Sequence, residues 1–392
     1  MILQYRLLVC FFFFSRFTEG KQEDYYYDHS DYDYSDYEDQ NKPPKKLSKE
    51  DLKQCDRNFP KKKFSDPKCV FAESPITSKN VGSFPKCAKV CSELLIDAPS
   101  GLSEKELTTV FKNMKTLIGG LKISGTNYTS ATFLAGLQTI ESSKSEIEIT
   151  RNKNMVELGW KNLTTMNGLS LYVDENAKLL RLNLPKWKTF KCKKKPCDAG
   201  IYGSRTSKFC LTSNEMKILV ISSNMDSVDV KGKVCAPEKN SKQICTKPTL
   251  NCEEFVGDLY IGPKFDTKKL KSLKILYGSL IIKGSNLTNF NCFGNLTHII
   301  QTNASRPIID VQNNKKLVTA RMPKLKLLYS YASPSLVFFN NNKSLLADYK
   351  SCYKYEAALY LQNGWVFSLE IDGHTCKEME KVAIKAMKEK GK

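Results

Sequence analysis

A short apolar pattern recurs along most of this chain at a spacing that few folds accommodate. Pairs of apolar residues separated by a single position begin at Leu94, Leu121, Ile147 and Leu171. The pairs return in the second half at Leu259/Ile261, Leu280/Ile282, Ile309/Val311 and Val337/Phe339. Within each half their starts lie roughly 25 residues apart, and one short strand per coil at such a period is typical of a solenoid. The sequence therefore predicts an α/β solenoid of parallel strands.

Four of these units also carry an asparagine at one fixed place. The segments IEITRNKNM, LYVDENAKL, IDVQNNKKL and VFFNNNKSL place Asn152, Asn176, Asn314 and Asn342 at the same position after the second apolar residue. A short amide there can bond the backbone of its own turn and of the neighbouring coil. The pattern predicts a buried asparagine ladder, and the alternative is that asparagine is simply common in turns.

The two halves of the chain align with each other. Asn127 corresponds to Asn286, and Asn152 to Asn314, at a common offset of roughly 160 residues. Four cysteine pairs keep nearly the same offset: Cys87/Cys245, Cys91/Cys252, Cys192/Cys352 and Cys210/Cys376. This shared offset predicts a duplicated domain, with copies at 55–240 and 241–376.

One helix can be predicted inside the first copy. Ser103 and Glu106 form a capping box, and the apolar face that follows is Leu107, Val110, Phe111 and Met114. The helix should end before Gly119, where we expect the next strand to begin.

The N-terminal segments predict an exported protein. Residues 1–20 hold Arg6 and an unbroken apolar run at 7–14, which fits a cleaved signal peptide and is too short to span a bilayer. Residues 21–54 comprise a tyrosine-rich acidic tail, with net charge −7 over 21–40, and a basic linker. This composition predicts disorder. Residues 377–392 are expected to be a basic C-terminal tail, and no later segment of the sequence is apolar enough for a transmembrane anchor.

Cysteine usage agrees with an oxidising compartment, and we expect disulfides rather than a metal site or another cofactor. Removing Cys10 with the signal leaves thirteen cysteines, so one must stay free, and Cys292 has no counterpart in the first half. The disulfide candidates are Cys55, Cys69, Cys87, Cys91, Cys192, Cys197, Cys210, Cys235, Cys245, Cys252, Cys352 and Cys376. Pairs such as Cys87/Cys91 resemble zinc ligands, but the three histidines lie far from them in sequence.

Six N-x-S/T triplets follow the signal and favour a glycoprotein. The predicted glycan acceptors are Asn127, Asn162, Asn286, Asn295 and Asn303. Asn342 also heads such a triplet, but a ladder asparagine faces inward, so we expect it to stay unmodified.

Particular phrases in both halves resemble a known family. The segments GGLKISGTN and EIEITRNKNMVEL, and their counterparts GSLIIKGSN and PIIDVQNNKKLVTA, are similar to the receptor L domains of the insulin and EGF receptors. The resemblance implies two right-handed parallel β-helices, leucine-rich-repeat-like, with short flanking helices and disulfide-tied ends. It also implies binding of peptide ligands outside cells. The chain departs from those receptors because it has too few cysteines between the copies for a furin-like module and carries no kinase motif.

The strand pattern also suggests a binding face. If the paired apolar residues point inward, the residue between them points outward. These outward positions include Tyr172 in the first copy and Ile281, Asp310 and Phe338 in the second. We expect them to contribute to partner binding, with a loop lying across Ile281 and Phe338 as the alternative.

Three function classes follow. The favoured one is a secreted module that binds insulin-like or growth-factor-like peptides or receptor ectodomains without signalling itself. The alternative is an adhesive or structural glycoprotein that binds anionic glycans, since the net charge is +20 and residues 186–197 hold six lysines around Trp187 and Phe190. An enzyme is disfavoured because Asp174, Asp258 and Asp310 share no common row. Export argues against nucleic acid as a partner.

Overall fold

We describe the protein from a computed structural model, over residues 67–142, 145–192, 195–203, 208–237, 241, 243–363 and 368–390. The expected signal peptide, the acidic tail with its linker, and Cys55 lie outside these ranges. Within them, no helix combines the length and the apolar character needed to cross a membrane.

The first domain alternates between two sheets. Its strands are β1 (Lys89–Cys91), β2 (Leu94–Asp97), β3 (Thr116–Ile118), β4 (Leu121–Ser124), β5 (Thr139–Glu141), β6 (Ile147–Thr150), β7 (Thr165–Gly168), β8 (Leu171–Asp174), β9 (Thr189–Cys192), β10 (Asp198–Tyr202), β11 (Cys210–Leu211), β12 (Ser227–Lys231) and β13 (Lys233–Val234). One sheet has the order β1-β3-β5-β7-β9 and the other β2-β4-β6-β8-β10-β12, while β11 and β13 pair separately. The chain therefore adds one strand to each of the two main sheets with every coil.

The second domain repeats this arrangement. Its strands are β14 (Ile244–Cys245), β15 (Glu254–Val256), β16 (Leu259–Ile261), β17 (Ile275–Tyr277), β18 (Leu280–Lys283), β19 (His298–Ile300), β20 (Ile309–Gln312), β21 (Leu327–Tyr329), β22 (Leu336–Phe339), β23 (Leu369–Ile371) and β24 (His374–Thr375). The sheets have the orders β14-β15-β17-β19-β21 and β16-β18-β20-β22-β23-β24. All pairings are parallel except β23 with β24.

The predicted stacking of neighbouring strands is confirmed. Ile147 pairs with Leu171 and Ile149 with Val173, in register and parallel. These side chains are fully buried, as their counterparts on β2 and β4 are, and they fill the space between the two sheets. Parallel sheets joined coil by coil, with disulfides at the ends, fit a β-helix-like L-domain fold.

The five-stranded sheets were not anticipated from sequence, because one strand per coil was expected and the structure has two. In the first domain, Thr116, Thr139, Thr165 and Thr189 stand opposite one another in register, and each begins its strand. Each is followed by a buried apolar residue. This threonine–apolar repeat was the signal that could have revealed the second sheet.

Four α-helices flank the sheets in the described part of the chain. They are α1 (Glu104–Phe111), α2 (Ser213–Met216), which continues as a π-helix at Lys217–Ser222, α3 (Tyr349–Asn363) and α4 (Cys376–Lys390). The capping box of α1 is confirmed, but the next strand begins at Thr116 rather than after Gly119. Most of the expected basic C-terminal tail is helical, within α4.

An asparagine ladder links successive coils. Asn152 Oδ1 accepts hydrogen bonds from the backbone N–H and hydroxyl of Thr126, at 3.0 and 2.7 Å. Asn152 Nδ2 donates to Ile123 O at 2.9 Å and to Asn176 Oδ1 at 3.0 Å. Ser285 and Asn314 repeat these bonds in the second domain. Buried turn amides are thereby paired.

The last member of the second ladder is Asn341, so the prediction of Asn342 was wrong by one residue. Asn341 Oδ1 accepts from the N–H and Nδ2 of Asn314, both at 3.0 Å, and Asn341 Nδ2 donates to Val311 O. The register of β22 explains the difference. Leu336 and Phe338 face the core, whereas the sequence reading had paired Val337 with Phe339 as the inward residues. Asn342 is therefore not held inward by the ladder, which was the reason for expecting it to stay unmodified.

Disulfides tie the coil ends and the terminal helices. The bonded pairs are Cys69–Cys87, Cys192–Cys197, Cys210–Cys235, Cys245–Cys252 and Cys352–Cys376. Cys91 is also disulfide-bonded. The structural counterpart of Cys252 is Cys87 rather than Cys91. Cys87 lies just before β1, and Cys252 lies just before β15. Cys192 and Cys352 do not correspond, since one ends β9 and the other lies in α3.

The two domains pack directly on each other. The outward side chains Ile275, Tyr277, Ile300 and Tyr329 of the second domain belong to the core of the first. Tyr329 Oη accepts from Val230 N and donates to Val228 O, both at 3.0 Å. Lys217 and Glu254 form an ion pair at 2.7 Å across the same contact. In the first domain the corresponding outward positions are largely threonine and other polar residues, since no domain precedes it there among the described coils.

Candidate binding surface

The outward residues of the six-stranded sheet in the first domain form a continuous surface, which we call the first-domain outer face. Its first row, in strand order, is Leu95, Lys122, Glu148, Tyr172, Gly200 and Asp229. Its second row, two positions further along each strand, is Asp97, Ser124, Thr150, Asp174, Tyr202 and Lys231. Buried and half-buried positions alternate strictly along β2, β6 and β8, and the strand register extends the two outward rows from these strands to β4, β10 and β12.

The first half of this face is internally paired. Lys122 Nζ lies 2.9 Å from Glu148 Oε2 on the next strand. Thr150 Oγ1 donates to Glu148 Oε1 at 2.9 Å and lies 3.1 Å from Ser124 Oγ. These cross-strand contacts pair charged and hydroxyl side chains of neighbouring strands and stabilise this half of the sheet.

The second half of the face meets the second domain. The ring of Tyr331 packs edge-on against Tyr329, with centroids 5.4 Å apart, and its hydroxyl donates to Val228 O. Burial, together with the neighbouring Asp229 carboxylate, raises the pKa of the Tyr202 hydroxyl well above its usual range. Half of the Tyr331 surface remains exposed beside this cluster. A residue of the second domain thus extends the face of the first, and sequence reasoning had not found it.

The corresponding face of the second domain does not match the prediction. Its outward row is Tyr260, Ile281, Asp310, Val337 and Glu370. Phe338, expected to point outward, faces the core and is 1% exposed, because β22 is shifted by one residue.

Ile281 does point outward but is covered. Only 3% of it is exposed, and Tyr260 on the neighbouring strand is held by Arg306 from the segment after β19. Arg306 Nη1 lies 2.9 Å from the Tyr260 hydroxyl and 3.2 Å from Asp258 Oδ2. Asp310 is engaged by Lys283 at 3.1 Å and by Gln312 at 2.8 Å. Of the predicted binding residues, Tyr172 alone lies half-exposed on an open sheet face.

The predicted glycan acceptors differ in their surroundings. Asn127, Asn286, Asn295 and Asn303 are exposed, while Asn162 is half-buried. Asn162 Nδ2 donates to Ala135 O of the previous coil at 3.0 Å, and its Oδ1 accepts from Lys186. Asn295 makes the same pair of bonds with Lys271 O and Lys324.

The threonines of these two triplets are engaged as well. Thr164 and Thr297 donate their hydroxyl hydrogens to Gln138 O and Lys274 O, at 3.0 and 2.9 Å. Both N-L-T triplets therefore bond to the coil before them.

Two other sequence features offer fewer accessible groups for ligand binding than expected. Trp187 and Phe190, in the lysine-rich segment, are each 1% exposed and belong to the core, so their rings cannot stack on a ligand. Cys292 is free and half-buried, and burial raises the pKa of its thiol to about 11, which makes the reactive thiolate scarce at neutral pH. Among the described residues, no three His, Cys, Asp or Glu side chains cluster closely enough to hold a metal ion.

Two stacked repeats with disulfide-tied ends and an open sheet face define a class of receptor-like binding module. The sequence model of the receptor L domain matches the chain twice, over residues 86–191 and 251–357, and no kinase domain is matched. These matches cover more than half of the chain, so the protein belongs to the receptor L domain family. The family predicted from sequence is therefore confirmed. A comparison with curated proteins finds no match.

Proposed function

We propose that this protein is a secreted, glycosylated binding module that captures an extracellular peptide or a receptor ectodomain and does not signal by itself. The family membership of both halves supports ligand binding. The observation that carries the proposal is the first-domain outer face, an open parallel sheet whose second half is widened by Tyr331 of the second domain.

The finer features of the proposal follow from the fold. Each domain is proposed to be a right-handed β-helical solenoid, since every coil adds one strand to each parallel sheet. Insulin-like or growth-factor-like peptides are the proposed ligands, through the resemblance to those receptors. We propose no enzymatic activity, because carboxylates such as Glu148 are tied to lysine and threonine neighbours. Exposed Asn127, Asn286, Asn295 and Asn303 are the proposed glycan sites, with Asn162 also in a suitable triplet.

A glycan placed on the face tests the proposal directly. Ser124→Asn creates the triplet N-G-T on β4, next to the edge strand β2 of the first-domain outer face. Lys283→Asn creates N-G-S at the equivalent position of the second domain and is the matched control. We expect the full-length protein from a eukaryotic host to capture a small disulfide-bonded peptide or a receptor ectodomain in a pull-down. The first variant should lose capture at least tenfold, and the second should retain it.

The result is interpretable only after the mass shift shows that each new site carries sugar. Capture by the sugar-bearing first variant at the wild-type level would show that the face is not the binding surface. Absence of capture by the wild-type protein, over a panel of insulin-like peptides and L-domain ectodomains, would contradict the function itself.

Binding of anionic glycans is a second candidate, favoured by a specific group of cations. Six exposed cations lie in two segments of the second domain, and the Asn295 side chain bonds to both segments, at Lys271 O and Lys324 Nζ. They are Lys268, Lys269, Lys271, Arg321, Lys324 and Lys326. Sulfated glycans bind such groups through charge, and that attraction weakens steeply with salt. Elution from heparin no later than from a cation exchanger of equal charge would count against this candidate.

A further inference from the structure

On the first-domain outer face, a glycine separates two tyrosine rings. Gly200 pairs with Tyr172 of β8, and Tyr202 follows two positions later on β10. A Cβ atom on Gly200 would lie 2.8 Å from Cε2 of Tyr202 and 3.0 Å from Cδ1 of Tyr172. Any side chain at residue 200 would push the rings away, so the absence of one lets the two rings close over the buried backbone of Gly200.

Carboxylates flank Gly200 on both neighbouring strands. Asp229 stands opposite Gly200 on β12, and Asp174 ends β8. Burial raises the pKa values of the Tyr202 and Tyr331 hydroxyls, and the nearby Asp229 carboxylate raises them further through its charge and its hydrogen bonds with them. Asp229 Oδ1 is shielded from solvent, so the carboxylate meets a ligand through Oδ2, which lies 4.0 Å from Lys231 Nζ.

The chain already holds one cation against these groups. Lys231 Nζ lies 4.9 Å from the centroid of the Tyr202 ring and 4.0 Å from Asp229 Oδ2. An ammonium at that distance from a tyrosine face is attracted by the ring quadrupole. This contact shows that the tyrosine ring and the Asp229 carboxylate together attract a positive group.

The charge of the face is opposite to that of the molecule. Four carboxylates, on Asp97, Glu148, Asp174 and Asp229, stand on its two rows against the lysines Lys122 and Lys231. The whole chain has a net charge of +20. A basic ligand is thus repelled by most of the surface and attracted here, which directs it to this face.

We propose that the first-domain outer face recognises an arginine or lysine side chain of a basic peptide segment, laid across the rings of Tyr172 and Tyr202 where they close over Gly200. Asp174 and Asp229 pair with the positive group, Asp229 through Oδ2. Arginine fits best, because its planar guanidinium can stack on a ring while its N–H groups reach both carboxylates. This inference rests on the proposed function and names the chemistry of its partner.

The test uses fluorescein-labelled hexa-arginine as the probe and the full-length protein in anisotropy titrations. Hexa-citrulline has nearly the same shape without charge and should bind at least tenfold more weakly. The double substitution Asp174→Asn and Asp229→Asn is nearly isosteric and should weaken hexa-arginine at least tenfold, as should Gly200→Val. Glu370→Gln, which removes a carboxylate from the outer row of the second domain, is the matched control and should change affinity less than twofold.

Equal affinity for the two peptides, or a double variant that binds within twofold of wild type while its thermal unfolding is unchanged, would overturn the inference. Its failure can be separated from failure of the proposed function. If an ectodomain or disulfide-bonded peptide is captured through the face but a tenfold excess of hexa-arginine does not compete, cation recognition is wrong and the function stands. If hexa-arginine binds as expected but no peptide or ectodomain of the panel is captured, cation recognition stands and the proposed function is wrong.

Discussion

Single asparagine side chains connect one coil of this protein to the next. Asn341 accepts two hydrogen bonds from Asn314 and donates one to Val311 O, whereas its neighbour Asn342 lies at the turn surface and bonds to Lys315 O and Ser344. The two residues have the same chemistry and adjacent positions. Comparing substitutions of the two residues therefore distinguishes the contribution of the ladder to stability from that of the turn.

We expect Asn341→Ala to lower the free energy of unfolding by about 2–3 kcal/mol, because it leaves Asn314 donors and Val311 O unpaired in a half-buried site. Asn342→Ala should lower it by less than about 1 kcal/mol, since its partners can reach water. Urea unfolding followed by circular dichroism measures both. Equal losses for the two variants would show that the ladder does not run through Asn341.

The ladder could be predicted from sequence at Asn152, Asn176 and Asn314 because each follows a strand with clear alternation of apolar and polar residues. At the fourth coil the sequence LVFFNNN offers two apolar pairs and three asparagines, so the pattern allows two registers. What decides between them is packing. Phe338 fills the core, and Phe339 remains 48% exposed, which no local pattern reveals.

At the level of elements, helix α2 depends on a buried acid. Thr212 and Glu215 form its capping box, in which Glu215 Oε2 accepts from the Thr212 N–H at 2.8 Å. Glu215 Oε1 accepts from Leu184 N at 3.0 Å and so links the helix to the preceding coil. Burial raises the pKa of the Glu215 carboxyl above its ordinary value of 4.5.

This pKa shift predicts the sign of a pH dependence. Because the folded state holds the Glu215 proton more tightly than the unfolded state, stability from this group is largest below pH 4.5 and is lost as the pH rises through the raised pKa. In Glu215→Gln that loss should be absent. The difference in melting temperature between wild type and variant should therefore shrink on going from pH 4 to pH 7.

Glu106 in the capping box of α1 is the matched control. The Ser103 backbone N–H lowers the pKa of its carboxyl, so its contribution is present at neutral pH and is lost as the pH falls through the lowered value. Glu106→Gln should give a pH dependence of the opposite sign. The same sign for both variants would contradict the burial of Glu215.

The five-stranded sheets mark the limit of element prediction here. Very short strands, such as Thr116–Ile118, provide too few alternations to stand out from a turn. The six-stranded sheets were visible because most of their strands carry an apolar-x-apolar pair that recurs along each half of the chain. The first-domain outer face could be predicted only in part, since Gly200 and Asp229 lie on β10 and β12, which carry no ladder asparagine.

For the whole molecule, the decisive feature is the direct contact between the domains. Tyr329 is 8% exposed, and its hydroxyl is bonded to Val228 O and Val230 N of the first domain. Burial raises the pKa of this hydroxyl to about 12, so it stays protonated and able to donate. Sequence alone could not reveal the contact, because outward apolar residues such as Ile275 look like core residues until the strand register is known.

We expect Tyr329→Phe to weaken the contact by about 1–3 kcal/mol, because the buried Val230 N–H loses its side-chain acceptor while the ring still fills its place. Differential scanning calorimetry should then show unfolding that broadens or splits into two transitions. Tyr260→Phe, whose exposed hydroxyl bonds to Arg306 within the second domain, is the control and should leave the transition unchanged. Identical traces for both variants would show that Tyr329 does not couple the domains.

The N-L-T triplets at Asn162 and Asn295 complicate a routine experiment. Each asparagine and threonine bonds to the coil before it, so a proposed glycan acceptor is also part of the scaffold. Replacing Asn162 by glutamine to remove a glycan would also detach its amide from Ala135, and poor export of such a variant would say nothing about carbohydrate. Enzymatic trimming of the intact protein keeps every amino acid in place and separates the two effects.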